Sequence, residues 1–366
     1  ASKTPPRSRP PRSFLIHPPL PAMEATDSTP APETDTAPAP VVVSGIQPSG
    51  RLHLGNYFGA IRQHIDLHQD HEAYYFIVNY HALTTVQDAE TLREHTFDVA
   101  LDYLALGFDP NEAALFVQSD VPEVTELMWI FFNLIPTSHL EKGVAYKEKV
   151  EAGLSPNAGL FNYPVLQAAD ILAYGGSVVP VGADQKQNLE MARTLARRFN
   201  NRFCPEDDPL FPVPEPHILD HVSVIPGTDG QKMSKSYGNT IGIFDEGDAL
   251  KKKVMSIVTD STPLDEPKDP EACNVFALLQ LFTDEAQQAE IAEQYRAGGY
   301  GYGHAKQELL GLIQDHFADA RARRKELEQR PDYVRDVLRE GAKAARAKAE
   351  PILEQVRALS GLVRTR

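Results

Sequence analysis

The sequence predicts an α/β protein in which a doubly wound parallel sheet is followed by an all-helical domain. Between residues 41 and about 226, short β-branched runs alternate with helical stretches, the pattern of successive βαβ units. Beyond about residue 245 strand signals cease, and segments rich in Ala, Leu, Glu and Lys continue. The 366 residues also exceed what one core usually organises, so two folded domains are expected. The expected division is a tail over 1–40, a sheet domain over 41–244 and a helical domain over 245–366.

Residues 1–40 are dense in Pro, Ser, Thr and Ala without either periodicity, which reads as disorder. Met23 lies within them and is a candidate natural start. The β-branched run from Val41 to Ile46 ends at Gln47-Pro48-Ser49-Gly50, a strand and then a turn. A helix is expected from about Gly55, a buried strand over 73–79, a helix over 89–106 and a strand over 114–118. Val178-Val179-Pro180-Val181 reads as a further strand and 222–226 as the last.

Composition narrows the function classes. With 42% hydrophobic and 24% charged residues the chain is globular, and no apolar run approaches the roughly 20 residues of a spanning helix. Cys204 and Cys273 have no His pair at zinc-ligand spacing, so no zinc and no disulfide framework are expected, and a cytoplasmic setting fits. A net charge of −15 opposes a DNA-type binder with a basic field over its whole surface. A local exception is 320–366, with 13 Lys and Arg against 7 Asp and Glu; a solvated helical face gives the same excess.

Two segments carry chemistry. Pro48-Ser-Gly-Arg-Leu-His53-Leu-Gly55-Asn56 follows the first strand and opens a helix, where unpaired N–H groups favour an anion. Gly55 leaves room for a ring against the backbone, and His53 and Asn56 flank it as donors. Lys232-Met233-Ser234-Lys235-Ser236 sets two lysines three apart on a loop opened by Thr228-Asp229-Gly230, so both ammonium groups can close on one phosphate chain. No Gly-x-x-x-x-Gly-Lys-Ser/Thr loop is present. Spacings of 4, 3 and 4 place Tyr163, Gln167, Asp170 and Tyr174 on one helix face, and a buried Asp170 needs a donor such as an indole N–H. Asp184 and Gln185, after a strand, are placed for a ribose and a substrate's polar end.

The two segments resemble the signatures of class I aminoacyl-tRNA synthetases. Asn56 stands where the first signature has its second His, and the second segment matches Lys-Met-Ser-Lys-Ser at every letter. Ser44-Gly-Ile-Gln-Pro-Ser-Gly, Gly55-Asn-Tyr-Phe-Gly59, Tyr163-Pro-Val-Leu and Gly182-Ala-Asp-Gln-Lys-Gln-Asn188 are similar to the tryptophanyl family in particular. The resemblance implies a Rossmann-like catalytic domain, a helical domain that binds the tRNA anticodon, and a homodimer. It implies activation of L-tryptophan by ATP with Mg²⁺, then transfer to tRNA(Trp). ATP would be held by Gln47, Pro48, Ser49, Gly55, Asn56, Gly59, Gly182, Ala183, Asp184, Val224, Ile225 and 232–236. His53, Asn56, Lys232, Lys235 and Lys149, with Lys147 nearby, would serve the phosphates. Tryptophan would meet Val43, Gly45, His81, Tyr163, Gln167, Asp170, Ile171, Val179, Val181 and Gln185.

Two positions depart from that family: Val43 where it commonly has Phe, and Gln167 where it has Met. Leu-Gln167-Ala-x-Asp170 resembles the tyrosyl family, so a tyrosyl-type enzyme is the alternative, together with a paralogue kept as a tryptophan- or adenylate-binding partner protein.

Overall fold

The structure, a computed structural model, describes residues 40–48, 50–67, 71–181, 186–218 and 225–362. Apart from Pro40, the expected tail lies outside them. Ala39–Arg366 forms one compact unit.

Among the described residues five parallel strands form a single sheet in the order β3-β2-β1-β4-β5: β1 (Val41–Ile46), β2 (Glu72–Ile77), β3 (Ala114–Val117), β4 (Val178–Val181) and β5 (Glu215–Ile218). The strand order reverses between β1 and β4. β1 is apolar along nearly its whole length because both its faces are covered. Val41 and Val43 point into one core with Tyr74 and Phe116, while Val42 and Ile46 point into the other with Tyr75 and Leu115.

Helices fill both faces. After β1 come α1 (Leu54–Asn56), a π-helical turn over Tyr57–Ile61, and α2 (Arg62–Leu67). α3 (Asn79–Ala82) and α4 (Ala89–Ala105) follow β2. After β3 the chain forms α5 (Glu123–Phe132), α6 (Thr137–Leu140), α7 (Val144–Glu151) and α8 (Ala158–Leu172), and α9 (Lys186–Phe203) joins β4 to β5. α5, α8 and α9 pack on the Val43 face. α4 packs on the Val42 face, which also receives α10 (Gly247–Met255), α11 (Asn274–Leu279), α12 (Glu285–Ala297), α13 (Tyr302–His316) and α14 (Ala318–Glu328).

The 30-residue α15 (Pro331–Ser360) closes the sheet at β3. Its Val334 and Leu338 enter one core, and Ala342, Ala345, Ala349 and Leu353 enter the other. It therefore wraps the sheet's edge. Gly341 makes this possible: a Cβ there would stand 2.1 Å from the Leu115 carbonyl oxygen. An edge strand's free backbone groups are a liability unless covered. Arg346 and Arg357 fasten the same helix to Glu123 and Glu126 of α5.

One expectation needs correction and another lies largely outside the described residues. Among the described residues the last strand is Glu215–Ile218, whose Pro216 and His217 hide it from a search for β-branched runs. Of the expected 222–226, residues 222–224 fall outside the described set, and Pro226 forms only an isolated bridge to Lys232. The helix carrying Tyr163, Gln167 and Asp170 ends at Leu172, so Tyr174 lies in the following turn. There it stacks on Tyr74 at 5.2 Å, fully buried.

Candidate active site

In an open parallel sheet, ligands bind beyond the carboxyl ends of the strands where the order reverses. Here β1 delivers Gln47, Pro48 and Gly50, β2 delivers α3 with His81, and β3 delivers the turn Gln118–Asp120.

The first signature is held by the second half of the chain. Leu54 N–H donates to Ile241 O at 3.0 Å and Ile243 N–H to Leu52 O at 3.2 Å, so His53 sits in a short antiparallel bridge with Gly242. Asn56 Oδ1 accepts the His53 N–H at 3.1 Å, which fixes the start of α1. The His53 ring is 7% exposed, and its Nδ1 meets no partner among the described residues. Burial, with Lys235 adding repulsion, lowers its pKa to about 4, so the ring is a neutral hydrogen-bonding group at pH 7.

The two signatures touch at Gly55. A Cβ there would lie 3.0 Å from His53 Nδ1 and 3.5 Å from Met233 Cβ. A side chain at 55 would therefore crowd the His53 ring while only making ordinary contact with Met233. Lys235 Nζ also donates to Gly50 O at 3.0 Å. Met233 is buried and donates its N–H to Ile225 O at 2.8 Å, whereas Lys232, Lys235 and Ser236 are exposed. Asn239, 2% exposed, pins this loop: Oδ1 accepts from Ser234 N–H, and Nδ2 donates to Asp229 Oδ1 and Lys232 O.

The second half of the site surrounds Asp170, 1% exposed on α8. Its Oδ2 lies 3.0 Å from His81 Nε2, and Gln118 Nε2 donates to both its oxygens, at 2.9 and 2.7 Å. Tyr80 N–H donates to Gln118 Oε1 at 3.0 Å, which turns the amide's donor end toward Asp170. Burial raises the Asp170 pKa, and the hydrogen bonds from His81 and Gln118 oppose that rise. An ionised carboxylate offers about four acceptor positions, so capacity remains for another donor. Tyr163 and Gln167, half-buried, are on the same helix face, and Tyr163 meets His81 edge-to-face at 6.1 Å.

Not every expected residue joins this face. Val43, Ile171 and Val179 are at most 4% exposed and belong to the apolar core behind it, so a substrate ring reaches them only if the wall shifts. Gly45 is exposed at the end of β1, and Gly59 lies in the π-helical turn. Lys149 is on α7, docked to α8 by Tyr146 against Phe161 at 4.9 Å. Ser49, Gly182, Ala183, Asp184, Gln185 and Val224, and the Val181 side chain, lie outside the described residues. Gln118 and Asn239 escaped the sequence reading. A polar residue directly after the strand over 114–117 was a usable signal for the first; nothing in the sequence marked the second.

This geometry, a helix start and a lysine loop joined at Gly55 beside a buried acceptor, is suited to holding a triphosphate next to a substrate with a buried donor. The profile of the family "tRNA synthetases class I (W and Y)" matches residues 36–318, and the chain belongs to that family. It is 52% identical to the tryptophan–tRNA ligase of Fusobacterium nucleatum over 321 residues, covering 88% of this chain and 98% of that one. The enzyme of the same name from Rhodopirellula baltica is also 52% identical, covering 88% and 99%. The crystal structure of tryptophanyl-tRNA synthetase from Campylobacter jejuni, complexed with ADP and tryptophan, superposes with a TM-score of 0.81 at 46% identity, covering 88% of this chain and all of that one.

Proposed function

We propose that the chain activates L-tryptophan with ATP, giving tryptophanyl-adenylate and pyrophosphate, and transfers the tryptophan to the terminal adenosine of tRNA(Trp). The observation that carries this reading is the buried acceptor Asp170, held by Gln118 and His81 beside a surface still open at Tyr163 and Gln167. An indole N–H satisfies such a carboxylate, and a substrate without the donor leaves it unpaired.

The substrate carboxylate is already ionised at neutral pH and attacks the α-phosphate without a general base. Orientation and charge stabilisation are what remain for the protein to supply. His53, Asn56, Lys232 and Lys235 are assigned to the triphosphate, with Lys149 reaching in from α7. Gln47, Pro48, Gly55, Gly59 and Ile225 are assigned to the nucleotide. Mg²⁺ belongs to the same reading, in which it would help neutralise the phosphate charge of the nucleotide.

The helices after residue 245 are assigned to the tRNA. Much of their positive charge is used internally: Arg324 pairs with Asp98 and Asp102, Arg346 with Glu123, Lys348 with Glu72 and Arg357 with Glu126. Arg335, Arg339 and Lys343, four apart along α15 and paired only within it, present the most exposed cations of that helix's ion pairs. A homodimer and a cytoplasmic setting are part of the same reading; both cysteines are free, and no described helix is long and apolar enough to cross a membrane.

ATP–pyrophosphate exchange measured with tryptophan and with tyrosine, followed by charging of purified tRNA, tests the proposal. Exchange driven by tyrosine would favour the tyrosyl alternative, and binding without exchange would favour the partner-protein alternative.

A further inference from the structure

The bridge that carries His53 is gripped from α14. Arg321 Nε donates to Ile243 O at 3.0 Å, on one strand of the bridge. Arg324 Nε donates to Asp102 Oδ1 at 2.7 Å, and Asp102 Oδ2 accepts the Leu52 N–H at 3.4 Å, on the other strand. The two arginines lie three residues apart on α14, about one helical turn, so a single rigid element holds both strands of the bridge around His53.

The burial makes this unusual. Asp102 is 0% exposed, Arg321 6% and Arg324 9%. Taking such charges out of water is costly, and apolar replacements often stabilise a fold more. Arg324 uses its whole fork, reaching Asp98 at 3.0 Å and Glu328 as well as Asp102, and its guanidinium lies over the Phe244 ring at 5.1 Å. Asp102 also favours the charged form of Lys235 in the second signature, against the partial desolvation of that ammonium group. The carboxylate thus touches the first signature at Leu52 and acts electrostatically on the second.

We infer that Arg321 and Arg324 are positioning residues for the nucleotide site, fixing through Ile243 and Asp102 where His53 stands relative to the lysine loop. The inference rests on the proposed activity for its kinetic readout but not for its structural one.

The test uses the full chain carrying Arg324→Gln, Arg321→Gln or Arg324→Lys, assayed well below the melting temperature of each. Arg324→Gln is expected to lower kcat for pyrophosphate exchange by about tenfold to a hundredfold, as a misplaced reacting group does. The KM for tryptophan should stay within about twofold, because Asp170 is untouched. Arg321→Gln should act in the same direction, and Arg324→Lys should restore part of the loss. Hydrogen exchange supplies a readout independent of activity: the Leu54 and Ile243 amides should exchange faster in both Gln variants while β1 amides do not. An unchanged kcat in folded variants, a tryptophan KM that rises in step with the fall in kcat, or uniformly faster exchange would overturn the inference. A parent chain without tryptophan-dependent exchange but with the local amide effect would sink the proposed function and leave the clamp standing.

Discussion

Asn239 Oδ1 accepts the backbone N–H of Ser234 at 2.8 Å, so a side chain beyond the second signature fixes that signature's middle residue. Its amide also reaches Lys232 O and Asp229. Replacing it by Ala leaves the Ser234 N–H without this partner, which should cost about 1–3 kcal/mol of stability in chemical denaturation. The pyrophosphate-exchange kcat should fall more than the tryptophan affinity does. An equal fall in both would remove the loop from the account.

Asp170→Asn keeps the shape of the acceptor but turns an amide toward the Gln118 and His81 donors. Tryptophan affinity should weaken by about 1.5–3 kcal/mol, the usual worth of a hydrogen bond to a charged group. Calorimetry against an analogue with sulfur in place of the indole N–H gives the sharper answer. The parent should prefer tryptophan strongly and the variant should not; an unchanged preference would place the indole elsewhere.

Lys235→Ala removes an ammonium group that reaches Gly50 O at the junction of the signatures. Adenylate formation should slow by about 100-fold or more, the scale of losing one preorganised charge at a transition state. Tryptophan binding, measured separately, should be nearly intact.

Acid should weaken the fold through its buried histidines. Burial lowers the pKa of His64 to about 3 and that of His53 to about 4, from 6.5 in the unfolded chain. As pH falls from about 6.5 the unfolded chain binds protons that the folded rings refuse, so stability falls, and each group's share is complete once its folded pKa is passed. The rise of Asp102 to about 6 acts in the opposite sense, its contribution being lost as pH increases through that value. His64→Phe isolates one share: between pH 6 and 4 the parent should lose up to about 1.4 kcal/mol per pH unit more than the variant. Parallel stability curves would show that His64 is protonated normally.

Strand β1 was legible from its β-branched run and the turn that ends it, the helix start at Leu54 from its place after that turn, and the pocket helix α8 from the helical spacing of its polar residues. β5 was not, because Pro216 and His217 interrupt the composition that marks a strand, and its pairing with β4 overrides local propensity. At the site, the letters of both signatures were legible, yet their meeting at Gly55 is a contact between residues far apart in the chain. The contacts that give Gln118 and Asn239 their roles were illegible for a related reason, although Gln118's place directly after a strand marked it as a candidate. Their roles depend on the Tyr80 N–H and the Ser234 N–H that happen to face them, which no local pattern encodes. The Val43 and Ile171 expectations illustrate the converse, since apolar letters suited to a pocket are equally suited to the core that received them.

The wrapping of β3 by α15 has a bearing on biosynthesis. The described strands of the sheet end at Ile218, but the helix that shields Leu115 begins at Pro331. During translation more than a hundred residues must therefore emerge before that flank is sealed, and in the interval the nascent sheet presents bare amides to any neighbouring strand. A chain interrupted in this interval is exposed to aggregation however sound its signatures.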